Sequence, residues 1–362
     1  MERQRELARK SRRIARLAAA GRKLIRIALI PQKDKPLKPN TANPSELNIV
    51  ALAGGVGGAK LADGLAQILP PENLTVIVNT GDDFAHWGLN ISPDLDTVCY
   101  TLGGLANSST GWGRMDESWN VFEQMDRLGA EAWFRLGDKD LATHLERTRR
   151  LRGGEPLSDI TRDFCQRWGI RHGVLPMTDD PVATMVDTVE MGELAFQEYF
   201  VHQRCEPTVK GFRFAGIESA RPAPGVVEAL EKADAVVICP SNPWVSVDPI
   251  LKILAPLNPP IFGENGGKIL VAVSPIIGGK TVKGPAAKMF AELGVEPSAL
   301  AVARHYGSPL LKGFVLDTVD ADLTEAVAAM SIVPFSTNTI MNLSDNRRQL
   351  AQDVLNFIQR LL

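Results

Sequence analysis

Along this chain apolar residues gather in short, continuous, β-branched blocks, and each block ends on a cluster of glycines or polar residues. Residues 47–53, Leu-Asn-Ile-Val-Ala-Leu-Ala, are the first block and predict a strand buried on both faces. It breaks on Gly54-Gly55-Val56-Gly57-Gly58-Ala59-Lys60. Residues 61–69 then carry apolar side chains at helical spacing until Pro70-Pro71. Residues 74–78 predict a second strand, closed by Asn79-Thr80-Gly81-Asp82-Asp83. Residues 235–239 and 268–273 predict two more, closed by Pro240-Ser241-Asn242-Pro243 and by Ser274-Pro275-Ile276-Ile277-Gly278-Gly279-Lys280. Helices are expected over 249–254 and from Pro285 onward, strands at 299–303, 313–316 and 330–334, and a closing helix over 344–362. Four strands that each carry chemistry at their carboxyl ends predict an α/β fold, a Rossmann-like doubly wound, mostly parallel sheet with ligands along that edge.

Between these blocks, residues 107–206 have a different texture. Helices are expected over 116–128, after Leu136-Gly137-Asp138-Lys139-Asp140, and over 158–168. A strand follows at 173–177, then a hairpin from 182–189 and 194–202. The expected organisation is a basic, mobile N-terminal extension over 1–46, a nucleotide-binding core from 47–106 and 207–362, and a mainly helical insertion or cap over 107–206.

Charge changes this picture only at the start of the chain. The net charge is −2 over 362 residues, yet residues 1–40 hold 13 Lys/Arg against 3 Asp/Glu. No nucleic-acid partner is expected for the remainder, and membrane contact only through the basic tail. Arginines interrupt every apolar run of that tail, so it is no secretory signal, and no later stretch is long enough to span a bilayer. The cysteines, Cys99, Cys165, Cys205 and Cys239, form no CxxC pair and read as reduced, mostly buried thiols of a cytoplasmic protein. No pair of histidines has zinc spacing, and His144 reads as a packed helix residue rather than a catalyst.

The glycine run offers bare backbone N–H groups at a helix start, backed by the helix dipole, and Lys60 stands at its mouth. It lacks the Gly-Lys-Ser/Thr of a Walker loop and the small third residue of a dinucleotide fingerprint. A phosphate or diphosphate site is one reading; a tight turn before a core helix is the other. In Ser92-Pro93-Asp94-Leu95-Asp96, two carboxylates at spacing two in a loop could converge on one cation or one hydroxyl, or could cap the helix that follows.

Taken together, GGVGGAKLADGL, NTGDD, ISPDLDT, LGDKDLATH, LPMTDD, PSNPWVS and VSPIIGGKTVKGPAAKM resemble the 2-phospho-L-lactate transferases of coenzyme F420 biosynthesis, the CofD family. The motifs run in order over all but the basic tail, which departs from the family pattern. The resemblance implies a guanosine diphosphate-linked donor carrying lactate 2-phosphate or phosphoenolpyruvate. The acceptor is the primary hydroxyl of the deazaflavin Fo; GMP leaves, Mg²⁺ is required, and the chain is a homodimer. It implies Asp96 and Arg135 against Fo. Gly54, Gly55, Gly57, Gly58, Lys60, Asn79, Thr80, Ser241, Asn242, Pro243 and Lys283 are expected on the donor side, with Lys288 a further candidate. Asp94 and Asp96 are expected to serve catalysis, and Asp82, Asp83 and Asp94 to hold the metal. A nucleotide-sugar-binding regulator of the same superfamily stays open, and a nicotinamide dehydrogenase is disfavoured by Lys60. Lactyl and enolpyruvyl donors have no visible signature.

Overall fold

The structure, a computed structural model, describes residues 44–257, 261–262, 267–308 and 310–362. Apart from a short turn at Pro44–Glu46, the predicted N-terminal extension lies outside the described residues. The chain opens with β1 (Ile49–Ala53), α1 (Gly55–Ala66), β2 (Leu74–Val78), the small hairpin β3 (Phe84–His86) and β4 (Leu89–Ile91), and α2 (Pro93–Leu102). Three helices follow, α3 (Asn120–Arg127), α4 (Asp138–Arg152) and α5 (Leu157–Arg167), then β5 (Gly173–Pro176) and the strands β6 (Ala183–Thr188), β7 (Gly192–Ala195) and β8 (Val209–Ala215). Next come α6 (Val226–Lys232), β9 (Ala235–Ile238), α7 (Asp248–Leu254), β10 (Ile269–Val273), β11 (Ile276–Ile277) and β12 (Lys280–Thr281). The chain finishes with α8 (Ala286–Glu292), α9 (Ala299–Tyr306), β13 (Gly313–Asp317), α10 (Thr324–Ala328), β14 (Val333–Thr337) and α11 (Ser344–Leu361).

Seven strands form one sheet in the order β14-β13-β10-β9-β1-β2-β5, every neighbouring pair parallel. The doubly wound expectation holds, and β1 shows why. Ile49, Ala51 and Ala53 face one apolar layer, shared with α1, α2 and α11. Val50 and Leu52 face the other, shared with α6 to α10. A strand buried on both faces needs no polar alternation, which is why it reads as a continuous apolar run.

Three sequence expectations change. Residues 299–303 are helix, not strand. Ser298 Oγ accepts the Ala301 N–H at 3.0 Å as an N-cap, and alanine is the best helix former. The supposed insertion is not one unit, because β5 pairs with β2 as the edge of the main sheet. Conversely β8, assigned to the core, pairs antiparallel with β6 in a separate three-stranded sheet. The segments that depart from the main sheet are thus α3 to α4 and again β6 to β8, while α5 packs on β5 and the sheet. Among the described residues no helix is long and apolar enough to cross a membrane.

Candidate active site

The helices after β1 and β9 leave on opposite faces of the sheet, so a crevice opens between the two strand ends. It forms part of a cleft of about 830 Å³. The crevice is stitched at its floor. Ser241 Oγ receives the Gly54 N–H at 3.1 Å and donates to the Gly54 carbonyl at 2.9 Å. Asn242 is equally engaged, its Oδ1 capping the Trp244 N–H at 3.1 Å and its amide reaching Met289 Sδ. Ser241 thus ties the end of β9 to the end of β1, Asn242 caps its own turn, and both line the cleft; Pro243 is buried and stands outside the cleft lining.

The glycine run also behaves differently from the expected loop. Helix α1 begins at Gly55, so the run is the helix's own first turns. Gly57 is required by packing, since a Cβ there would collide with the Pro240 carbonyl oxygen. Gly58 lies against Ala53 and Ser241 beneath the cleft lining. Gly55 has φ +62°, the left-handed region, and its N–H donates to Asp94 Oδ1 at 2.7 Å. The N-terminus of α1 therefore faces a carboxylate of the protein itself.

Asp94 and Asp96 are helical rather than in a loop, both in the first turn of α2 and both buried. Spacing two on a helix sends side chains apart, and the two do not converge. Asp94 Oδ2 accepts from Asn79 Nδ2 at 2.9 Å, and Asn79 also binds the Val245 carbonyl and the Gly81 N–H. Asn79 is fully buried and positions Asp94 from beneath. Burial raises the Asp94 carboxyl to about 6 against the pull of Asn79 and Gly55. Burial, and then the charge of Asp94, raise Asp82 well above the ordinary range. Asp82 Oδ1 is buried without a hydrogen-bond partner, as is Thr80 Oγ1.

The expected metal set is only partly assembled. Asp83 turns away to accept the Ser92 hydroxyl at 2.6 Å and does not line the cleft. Among the described residues no group of three or more His, Cys, Asp or Glu converges as a metal cage. Two buried carboxylates facing the cleft with an unsatisfied oxygen do suit Mg²⁺, which takes one or two carboxylates and completes its shell with water and phosphate. Asp82 and Asp94 fit that role.

Cations lie on another part of the rim. Lys60 and Lys283 line the cleft, and neither has a carboxylate partner among the described residues. Burial, then Arg347 and Lys283, lower the Lys60 ammonium. Arg347 is already paired with Asp63 at 3.0 Å, so it is the two ammonium groups, Lys60 and Lys283, that lie in mutual repulsion and suit an anion. Lys283 Nζ donates to the Thr110 carbonyl at 2.9 Å. Lys288 is not part of this group; it pairs with Glu292 one turn along α8, outside the cleft.

The remaining wall comes from the end of β4, the α3–α4 connection, α4 and the β7–β8 connection. Arg135 lines it with its guanidinium carbon 4.5 Å from the Trp119 ring centroid. It is stacked there and does not pair with Asp96. Trp133 stacks on His202 at 5.1 Å and 6°, and Phe134, Phe196 and Phe200 extend the apolar surface. Asp96 is bound through both oxygens by the Arg147 guanidinium, with Nη1 to Oδ2 at 2.9 Å. His144 is buried as expected, but beside Asp96 and in the cleft wall. Sequence reasoning missed Arg147. Its signal was Asp140, His144 and Arg147 at i, i+4 and i+7 on one helix face, where apolar residues belong.

Residues 49–354 match the model of the family described as 2-phospho-L-lactate transferase CofD. A phosphoenolpyruvate transferase of Streptomyces griseus is 45% identical over 321 residues, 87% of this chain and 99% of that protein. A 2-phospho-L-lactate transferase of Methanosarcina mazei is 38% identical over 307 residues, 85% of this chain and 99% of that protein. A solved UPF0052-family protein of Bacillus halodurans superimposes with TM-score 0.55 at 14% identity, covering 85% of this chain and 98% of its own, and shows the same fold.

Proposed function

This chain belongs to the CofD family of 2-phospho-L-lactate transferases, which act in coenzyme F420 biosynthesis, and from that premise we propose its donor, acceptor and division of labour. The donor is a guanosine diphosphate-linked acid and the acceptor is Fo. The Fo hydroxyl oxygen attacks the phosphorus bearing the organic acid. The bond from that phosphorus to the bridging oxygen breaks, and GMP leaves. The product is F420-0 from a lactyl donor, or its dehydro form from an enolpyruvyl donor. We favour the enolpyruvyl donor because the relative of higher identity is named for it.

One observation carries the reading. Unpaired Lys60 and Lys283, and the buried Asp82 and Asp94, line one cleft at the end of β1. Lys60 and Lys283 hold the diphosphate and offset the charge that grows on the leaving phosphate. Asp82 and Asp94 would hold Mg²⁺, which would supply charge neutralisation for the phosphates. Asp96 orients the acceptor hydroxyl and takes up its proton as the new P–O bond forms. The aromatic wall around Trp133 receives the planar deazaflavin and excludes water, with Arg135 at its edge.

Incubation with Fo, Mg²⁺ and each guanylylated acid, with products identified by mass, tests this directly. Formation of dehydro-F420-0 and GMP from the enolpyruvyl donor is expected. Binding of the donor without turnover would instead favour a regulator. The homodimer expected from the resemblance is tested by light scattering of the same preparation.

A further inference from the structure

Beneath the acceptor side of the cleft lies a chain of polar side chains that the mechanism above does not use. Arg147 is 2% exposed and His144 1%, both on α4 and both in contact with Asp96 on α2. The guanidinium donates to both Asp96 oxygens, and its Nη1 also lies 3.2 Å from His144 Nδ1. Arginine has only donors, so Nδ1 must accept. The ring proton of a neutral His144 then sits on Nε2, which lies 3.3 Å from Asp140 Oδ1 as an electrostatic contact without hydrogen-bond geometry. Asp140 in turn accepts the Tyr100 hydroxyl at 2.7 Å, and its backbone N–H is held by Glu117 at 2.8 Å.

The order of contacts gives each member a direction. Tyr100 and Glu117 fix Asp140, the Asp140 charge lies against the His144 ring, and His144 Nδ1 accepts from Nη1 of Arg147 beside Asp96. A bidentate guanidinium fixes a carboxylate in angle as well as in distance. Lysine would supply the charge without the fork. Arg147 does not line the cleft, so it reaches the reaction only through Asp96.

We propose that Arg147 and His144 are positioning residues for the transfer, setting the orientation of the Asp96 carboxylate toward the acceptor hydroxyl. This rests on the reading of Asp96 as the acceptor-side group. A plain structural ion pair between α2 and α4 predicts loss of stability but no selective loss on the acceptor.

A double-mutant cycle separates the two. Arg147→Lys, which keeps the charge, should lower kcat/KM for Fo by about 10–100-fold, while GDP affinity and donor KM stay within twofold. In the Asp96→Asn background, itself impaired, Arg147→Lys should cost less than a further twofold. His144→Asn, whose side-chain oxygen can replace Nδ1, should stay within threefold of wild type. His144→Gln, which cannot, should follow Arg147→Lys in both backgrounds and serves the cycle should Arg147→Lys fail to fold. Losses that multiply in the Asp96→Asn background, or that fall equally on GDP binding, overturn the proposal. Should Asp96→Asn alone leave Fo kinetics unchanged, the acceptor-side assignment of Asp96 falls, and this proposal with it.

Discussion

The Asp94 carboxylate accepts the Gly55 N–H at 2.7 Å, so a side chain of α2 caps the helix start from which β1's anion site was expected to open. A diphosphate approaching this helix meets a negative charge first. On the proposed reading, attraction comes from Lys60 and Lys283, and from a divalent cation that Asp82 and Asp94 would hold, with the helix dipole in a lesser role. The site is thus a balance of buried charges rather than a bare backbone cradle.

Replacing Asp94 by Asn keeps the shape, removes the charge and sets an amide donor against one of the two N–H groups that Asp94 accepts. Turnover is expected to fall by about 10²–10⁴-fold, and Mg²⁺ should no longer raise the melting temperature. Turnover within twofold of wild type, with the Mg²⁺ shift intact, would remove Asp94 from the site.

The same carboxyl gives a pH signature. Burial raises it from the ordinary 3.8 to about 6 in the folded chain. Between those values the folded state binds more protons than the unfolded state, so this group's contribution to stability falls as pH rises. The cost is absent below about pH 4 and complete above about pH 6, on the order of 3 kcal/mol. Without Mg²⁺, melting temperature should therefore decline across that window more steeply in wild type than in Asp94→Asn. Saturating Mg²⁺ should flatten the wild-type curve. Parallel curves for the two proteins would sink the assignment.

Gly57→Ala should act through packing. The new methyl group meets the Pro240 carbonyl oxygen, and overpacking of this kind costs about 1–3 kcal/mol. Melting temperature should drop, with GDP and Fo affinity unchanged in the fraction that stays folded. An unchanged melting temperature with selective loss of GDP binding would restore the ligand-contact explanation.

Lys60→Met and Lys283→Met should each raise the donor KM more than tenfold, or about 1.4 kcal/mol, with the KM for Fo within twofold. Steady-state kinetics with each substrate varied in turn would show it. Equal effects on both substrates would mean that the lysines serve the architecture of the cleft.

The sheet was legible in the sequence because its strands are buried on both faces and carry unbroken β-branched runs, as at 74–78 and 235–238. Residues 299–303 misled for the same reason: Ala-Leu-Ala-Val-Ala is apolar at any period, and only Ser298 and the following residues mark it as a helix. The glycine run announced close approach but not what approaches, since the Pro240 carbonyl just past β9 and a phosphate demand the same missing Cβ. Arg147 and Asp96 are 51 residues apart, and their pairing depends on how α4 lies on α2. Local spacing carries no such information, although the polar stripe on α4 showed that something buried there needed charge.

The first turn of α2 carries Asp94 toward the sheet, where Gly55 and Asn79 hold it, and Asp96 toward α4, where Arg147 holds it. On the proposed reading, donor and acceptor handling hang from one turn but are serviced by separate parts of the chain. Lineages could remodel the segment that builds the acceptor wall, and so recruit acceptors of new size or ring chemistry, while the donor machinery of the sheet stayed as it is. Under that reading, the part to be inherited intact is the turn itself, since both carboxylates depend on it for their placement.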